Sequence, residues 1–439
     1  MTQSAYLQDY AALANELPGQ HLAWLHAQRQ AALSRFGASG FPSPREEDWK
    51  YTNVSAIERK RFKPSAGPVK LQSGDLADVD GYRLKGACCL VLVDGRFCAE
   101  ASSLQGIPEG VTVTAMANAL QDCPERVAAG FGRTLENESH GFIAFNTALF
   151  TDGVFVDVPC GVRLENPLQI MHVNVSAEGL SNTRSMVMLG RGAEASLVET
   201  FLGQAGQSYL TAAVIELCLG ENAGLDHYKV QLEADKAYHF GGVYVSQGRD
   251  SRFRQHNLAF GGLLARTEIH ASLGSGAECR MNGLFLADGR QHVDNHTLIQ
   301  HCEPHGVSEE IYRGVLSGRA RGVFQGRIVV HPHAQKTQAV MNNRNLLLSD
   351  DAEIDTKPQL EILADDVKCG HGVTVGQLNP ESVYYLESRG IDQESARNML
   401  TFAFANELVE KISLSTLRGL VQEQLLKRLP QAGIRREWL

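Results

Sequence analysis

No apolar run in this 439-residue chain approaches the roughly 18 residues a membrane helix needs, and Ala87–Val93 is among the longest. The opening Met1-Thr-Gln-Ser-Ala-Tyr6 has no basic segment followed by an apolar one, which argues against a secretory signal. C-x-x-C is absent, so ribbon-type zinc sites and ferredoxin-type clusters lose their usual signature. There is no G-x-x-x-x-G-K-[ST] loop, so ATP chemistry would have to come from another subunit. G-x-S-x-G and H-E-x-x-H are missing as well. Basic charge is in short supply: 41 Lys and Arg against 50 Asp and Glu give 41 − 50 = −9. That excess speaks against a general nucleic-acid or anionic-membrane surface.

What is present is an ordinary globular balance, 43% hydrophobic and 21% charged. The length suits two or three domains, or one elongated repeat body with caps. Nine cysteines, odd in number and scattered, do not read as a disulfide framework. They indicate a reducing cytoplasm and mostly buried free thiols.

Composition divides the chain into an N-terminal helical domain and linker (1–80), a connecting region (81–139), a β core (140–378) and a C-terminal helical domain (379–439). Tyr6–Leu17 and His21–Phe36 are expected helices, the second ending at Gly37. Leu90–Val93 and Val111–Val113 read as strands. In the core the period changes to two. Val154, Val156 and Val158 alternate with Phe155 and Asp157. Ile215, Leu217 and Leu219 alternate with Glu216 and Cys218. Tyr228, Val230 and Leu232 alternate with His227, Lys229 and Gln231. Ile269, Ala271 and Leu273 alternate with His270 and Ser272. Strand after strand should therefore bury one face.

Turns recur at Leu189-Gly-Arg-Gly192, Leu219-Gly-Glu-Asn222, Ser246–Asp250 and Leu273-Gly-Ser-Gly276, then more closely at Leu316-Ser-Gly318, His331-Pro-His333, Leu348–Asp351 and Leu363–Asp366. The reading is a mainly β protein whose core is a β-solenoid, with helices capping both ends. An antiparallel sandwich is the rival, disfavoured because the hairpin dipeptide Asn-Gly occurs only once, at Asn282-Gly283. After it, Asn379-Pro380-Glu381 starts a short helix that Gly390 ends. Asp392 caps a helix whose stripe is Ala396, Leu400, Phe404, Leu408 and Ile412, and Ser415–Leu429 forms a third.

Two stretches carry chemistry. His292, His296, His301, Cys302 and His305 have the right types for zinc or iron, although their spacing matches no closed-site template. A metal-dependent β-helix enzyme using His292, His296, His301 and His305 is the alternative functional reading. Its bland counterpart is a row of polar outward residues, with His331 and His333 at a strand corner. The second stretch is Val367-Lys-Cys-Gly-His-Gly-Val-Thr-Val-Gly376. On a strand Cys369 and His371 share a face, so the thiol can be activated, hold a metal, or sit inward beside a solvent-facing histidine. The flanking glycines suit a terminal strand meeting another chain.

Longer strings give a resemblance. Thr356-Lys-Pro-Gln-Leu-Glu-Ile362, Ala364–Gly372, Asp294-Asn-His-Thr297, Ala334-Gln-Lys-Thr337, Tyr384–Ile391 and Glu47-Asp-Trp-Lys-Tyr-Thr52 resemble the SufB/SufD family of the SUF iron–sulfur assembly system, from about residue 44 onward. Within that family the Thr-Lys-Pro-Gln-Leu-Glu-Ile and Lys-Cys-Gly-His-Gly strings match the SufD type. The resemblance implies a right-handed parallel β-helix between helical domains. It also implies a non-catalytic cytoplasmic scaffold that binds no membrane or nucleic acid. The partners it implies are a SufB-like paralogue, joined through the last strands, and a SufC-like ATPase, docked on the C-terminal helices with Tyr384, Tyr385, Arg389 and Gly390 as contacts. The family's functional histidine falls on His371, with Cys369 adjacent, where a nascent cluster is held together with a cysteine of the paralogue. No cofactor is then expected to stay on the isolated chain, only a transient cluster in the complex. The exposed terminal strand also suits a homodimer of the isolated chain.

Overall fold

The computed structural model describes residues 6, 13–14, 16–65, 67, 71, 79–135 and 140–429. Most of the expected Tyr6–Leu17 helix and of the 64–80 linker lies outside the described residues.

From Val154 onward the strands alternate between two parallel sheets. Val154–Val158, Gly179–Leu189, Leu210–Leu219, Tyr238–Gln247, Leu264–Leu273, His292–His301, Arg321–Val330 and Glu353–Ile362 form the first. Leu168–Asn174, Glu194–Gly203, Gly224–Gln231, Arg252–Ala259, Glu278–Ala287, Val307–Leu316, Gln338–Leu347 and Lys368–Gly376 form the second. One strand from each sheet makes a coil, and about eight coils stack into a β-solenoid. Pairing is parallel and in register, so inward side chains stack in columns: Ile215, Val243, Ile269 and Thr297 form one. The main apolar cluster fills the lumen, from Leu90 and Val156 to Met341 and Ala364.

From Gly179–Leu189 to Arg321–Val330, each passage from first to second sheet turns on a residue in the left-handed region; the last passage, 363–367, does not. Gly192, Asn222, Asp250, Gly276, His305 and Lys336 all have φ between 56° and 68°. Their N–H groups donate to the same corner of the next coil, at 2.8 Å for Gly192 to the Glu221 carbonyl and 2.9 Å for His305 to the Gln335 carbonyl. Asn, Asp and Gly enter this region at low cost. His305 is thus a corner residue. The closer spacing of the later turns has a simple cause: Gly318 and Leu348 mark the opposite corner of the coil from His331 and Leu363, so both half-coils are signalled there.

The expected Leu90–Val93 and Val111–Val113 strands exist as Cys88–Val93 and Thr112–Ala115. Cys88–Val93 extends the second sheet in parallel, and Thr112–Ala115 closes the first in antiparallel sense against Val154–Val158. The first long helix is Ala23–Ser39, running past the expected Gly37 stop to Gly40 at φ 68°. With Gly141–Leu149 it packs Phe36, Phe41, Phe142 and Phe145 onto the outer face of the first sheet, against Leu210, Val214, Phe240 and Tyr244.

Three expectations change here. The C-terminal helices Pro380–Ser388, Gln393–Val409 and Ser415–Arg428 do not cap the solenoid. Gln393–Val409 and Ser415–Arg428 fold back along the outer face of the second sheet, where Phe402, Ala405, Leu408, Leu417 and Val421 cover Tyr228, Val230, Leu258 and Leu284, and Pro380–Ser388 packs on Gln393–Val409. The buried stripe of the middle helix is accordingly rotated: Ala396, Thr401, Phe402, Ala405, Leu408 and Val409 are buried, while Leu400 and Phe404 are only half-buried. With both outer faces covered, polarity no longer marks the outside. Tyr228 and Val230 face the helices, and His227, Lys229 and Gln231 face the lumen, the reverse of the simple alternation.

Candidate functional site at the open end of the solenoid

Because the helices lie alongside, no described element caps the last coil. Among the described residues Glu353–Ile362 pairs only with Arg321–Val330, and Lys368–Gly376 only with Gln338–Leu347. Each strand thereby presents a free row of backbone N–H and C=O groups, which templates pairing with another strand. Apolar side chains gather at this end: Ile362, Leu363, Val375 and Val340 are 42%, 53%, 46% and 55% exposed. Scattered exposed apolar residues are ordinary, but a group of them along an unpaired edge marks an interaction surface.

His371 stands in that edge strand, in register with Met341, and Cys369 in register with Ala339. Met341 and Ala339 belong to the lumen core, so the two sequence-predicted residues share the inward-facing side of the last coil. Their environments differ. Cys369 is half-buried against the core, and burial pushes its thiol up from the ordinary value, with a hydrogen bond to the Ala339 backbone opposing. It is therefore a poor thiolate in the chain alone. The His371 ring is exposed. Further along the strand beneath, under Val373 and Val375, the lumen becomes polar: Asn343 Oδ1 accepts from Thr356 Oγ1 at 2.9 Å and from Asn345 Nδ2 at 2.7 Å. An exposed imidazole beside a half-buried thiol offers one borderline and one soft donor, so any metal or cluster held here needs further donors from a facing chain.

The histidine stretch is not one site. His292 and His296 face outward, His292 Nε2 lying 3.0 Å from Thr52 Oγ1 and His296 Nε2 3.0 Å from Asp294 Oδ1. His301 points into the lumen, fully buried and 2.8 Å from Ser308 Oγ, and His305 is the corner already described. Among the described residues, no three His, Cys, Asp or Glu stand together as a metal set. What the outward pair serves is a strap. Trp49 is buried against the stacked pair Phe142 and Phe240, with the Arg266 guanidinium 3.6 Å from its ring centroid. Arg266, itself buried, pairs with Glu268 at 2.6 Å and Asp294 at 2.7 Å and donates to the Asp48 carbonyl at 2.9 Å. Thr52 donates to Asp294, Gln325 to Asp48, and Lys357 of the last coil pairs with Glu47. The distant strings Glu47–Thr52 and Asp294–Thr297 thus meet in space and bind the N-terminal segment across the first sheet.

Tyr384 and Tyr385 are 72% and 57% exposed on the short helix Pro380–Ser388. Arg389 stacks over the Tyr385 ring at 5.2 Å, and Gly390 follows at φ 88°. An exposed aromatic pair beside a guanidinium is a good protein-docking anchor.

Sequence reasoning missed the charged groups inside the lumen. Glu199 lies 3.0 Å from His227 and 3.5 Å from His172, and Lys229 Nζ is 2.6 Å from His239 Nε2, whose Nδ1 is 2.7 Å from Glu233. Burial lowers Lys229 to about 8, against the pull of Glu199 and Glu233. The available signal was the polar half of the His227-Lys229-Gln231 alternation.

Comparison with known proteins gives the family. Residues 172–404 match the model of the SUF system FeS cluster assembly SufBD core domain, and residues 1–170 match the SufBD protein N-terminal region. The chain is 32% identical to the iron–sulfur cluster assembly protein SufD of Escherichia coli, covering 92% of this chain and 93% of that protein. It is 31% identical to an iron–sulfur cluster assembly SufBD family protein of Synechocystis over 90% of this chain and 89% of the relative. A chloroplastic Arabidopsis thaliana protein, ABCI7, is 26% identical over 89% and 83%. Among the described residues no helix is long and apolar enough to cross a membrane. The uncapped parallel solenoid and these matches make the chain a SufD-like member of the SufBD family of iron–sulfur cluster assembly proteins.

Proposed function

We propose that this chain is a non-catalytic scaffold subunit, cytoplasmic, that joins a SufB-like paralogue through its open solenoid end and a SufC-like ATPase through Tyr384, Tyr385, Arg389 and Gly390. The observation that carries this reading is the free parallel edge of Lys368–Gly376, with an exposed imidazole at His371. A second chain pairing on that edge would bring its own thiolates to His371, so a nascent cluster could be held across the seam as cargo and released when the chains part. Cys369 becomes a donor only if seam formation lowers its thiol. No cofactor stays on the isolated chain, where the same edge pairs with a second copy. ATP binding by the partner would act by favouring one relative placement of the subunits.

The test is co-expression of His371→Ala with both partner subunits, reading cluster content spectroscopically. Normal assembly with strongly reduced cluster yield is expected; undiminished yield in an intact complex removes the site. Deleting 379–439 is a poor test of ATPase docking, since it would strip the apolar outer face of the second sheet. Tyr384→Ala with Tyr385→Ala is better: loss of ATPase pull-down with retained SufB-like pairing is expected, and retained ATPase binding refutes the docking claim.

A further inference from the structure

The strand that carries His371 is bare on its other face. Gly370 stands in register with exposed Val340 and Gly372 with Asn342, whereas His371 lies over the lumen residue Met341. The even positions of Lys368–Gly376 therefore point outward, and three of them are glycine: Gly370, Gly372 and Gly376. None of the three has the left-handed backbone that would demand glycine. A strand glycine packs nothing and costs conformational entropy, so its use needs a local reason.

Elsewhere in the solenoid that reason is visible. Each other described glycine within the strands of the two sheets, from Gly179 to Gly326, has a side-chain atom within 3.3 Å of where a Cβ would stand. In three cases the side chain comes from the register partner on the following coil: Arg252 over Gly224, Tyr312 over Gly283 and Ile354 over Gly322. The missing Cβ is thus a seat for a large side chain of the next coil. Gly370 and Gly376 have no described atom within 4 Å of the same point, and Gly372 has only Asn342 Nδ2, at 3.4 Å. Among the described residues no following coil fills these seats.

We propose that Gly370 and Gly372 form a notch that receives a large apolar side chain from the edge strand of the SufB-like partner, and that this notch favours that partner over a second copy of this chain. The inference rests on the seam reading given above. Val340, 55% exposed, is the register neighbour of Gly370, so a side chain seated over the glycine reaches across it and covers apolar surface. The edge strands of a second copy offer no such side chain. Besides glycine, the outward residues of Lys368–Gly376 are Lys368 and Thr374, and those of Glu353–Ile362 are Glu353, Asp355, Lys357, Gln359 and Glu361. Self-pairing through these edges leaves the notch empty and forfeits the contacts of its lining. The notch and His371 occupy opposite faces of one strand, so the fit can be altered without touching the imidazole.

The test is the full chain carrying Gly370→Val with Gly372→Val, measured for thermal stability, for binding to its purified SufB-like paralogue and for self-association. Stability should not fall, because the added side chains meet open space and valine suits a strand. Affinity for the paralogue should drop about tenfold or more, since the seat is filled, while self-association changes by less than about twofold. Unchanged paralogue binding overturns the notch. If Val375→Pro on the same edge still blocks that binding, the seam reading survives the loss of the notch; if it too has no effect, the seam reading fails as well. An equal loss of both associations overturns the preference for the paralogue. Should the double valine variant fail to fold, Gly370→Ala, whose methyl has no described atom within 4 Å, is expected to give a smaller loss of paralogue binding at unchanged stability, and no loss overturns the notch.

Discussion

Replacing Arg266 with Met should release the N-terminal strap while the solenoid stays folded. Arg266 is buried and is the shared partner of Glu268 and Asp294, at 2.6 and 2.7 Å. Methionine fills much of the volume but leaves two buried carboxylates without their guanidinium. Breaking a buried pair from one side typically costs about 3–5 kcal/mol. Loss of the cation–π contact with Trp49 adds about 1–2 kcal/mol, not strictly additive. The sign with pH follows from the carboxyls. Burial alone would raise Glu268, but His140 and Arg266 outweigh it and hold the group well below its ordinary 4.5. Burial is likewise outweighed at Asp294 by His296 and Arg266, which hold it below its ordinary 3.8. Depressed folded values contribute stability above the unfolded values, and that contribution is lost as pH falls through the folded ones. The difference between wild type and Arg266→Met should therefore be full at neutral pH and shrink below about pH 4. Native-state hydrogen exchange on peptides spanning 47–52 and 264–273 is the assay, because it isolates local opening from unfolding of the whole chain. A local change below about 1 kcal/mol, or an equal change everywhere in the chain, refutes the reasoning.

Glu310→Gln should stabilise the protein at pH 8 relative to wild type. Burial raises Glu310 from 4.5 to about 7, so its stabilising proton is fully bound below about pH 4.5 and lost as pH rises through 7. Over that interval wild type should lose about 2–3 kcal/mol that the Gln variant keeps, measured by urea denaturation across pH, and parallel profiles would refute this. Val375→Pro, whose N–H points to the free edge, should leave the monomer folded but block strand pairing with a paralogue or second copy; unchanged association by analytical ultracentrifugation would remove the edge from the interface. Exposed Cys160 should be alkylated well before Cys369, whose thiol burial pushes up; mass spectrometry showing the reverse order would mean that the last coil is open in solution.

Sequence alone determined the period-two strands, the Gly, Asn and Asp corners, the three C-terminal helices and the family strings, because each is a local pattern of spacing or conformational preference. The Asn379 and Asp392 caps are one example, each side chain accepting the backbone N–H that its position predicts. The pairing of Cys369 and His371 on one face needed only strand parity. Which face that was could not be read locally. Polar residues at His227, Lys229 and Glu310 turn inward because both outer faces of the solenoid are covered by helices, and that covering is a matter of long-range packing. The same packing dispersed the histidine stretch, since His292 and His296, His301, and His305 differ in parity and position along one coil. It also left the last strands uncapped: helices with an apolar stripe can cover a sheet face or a solenoid end, and only the tertiary contacts of Phe402, Ala405 and Leu408 with Val230 and Leu258 decided between them.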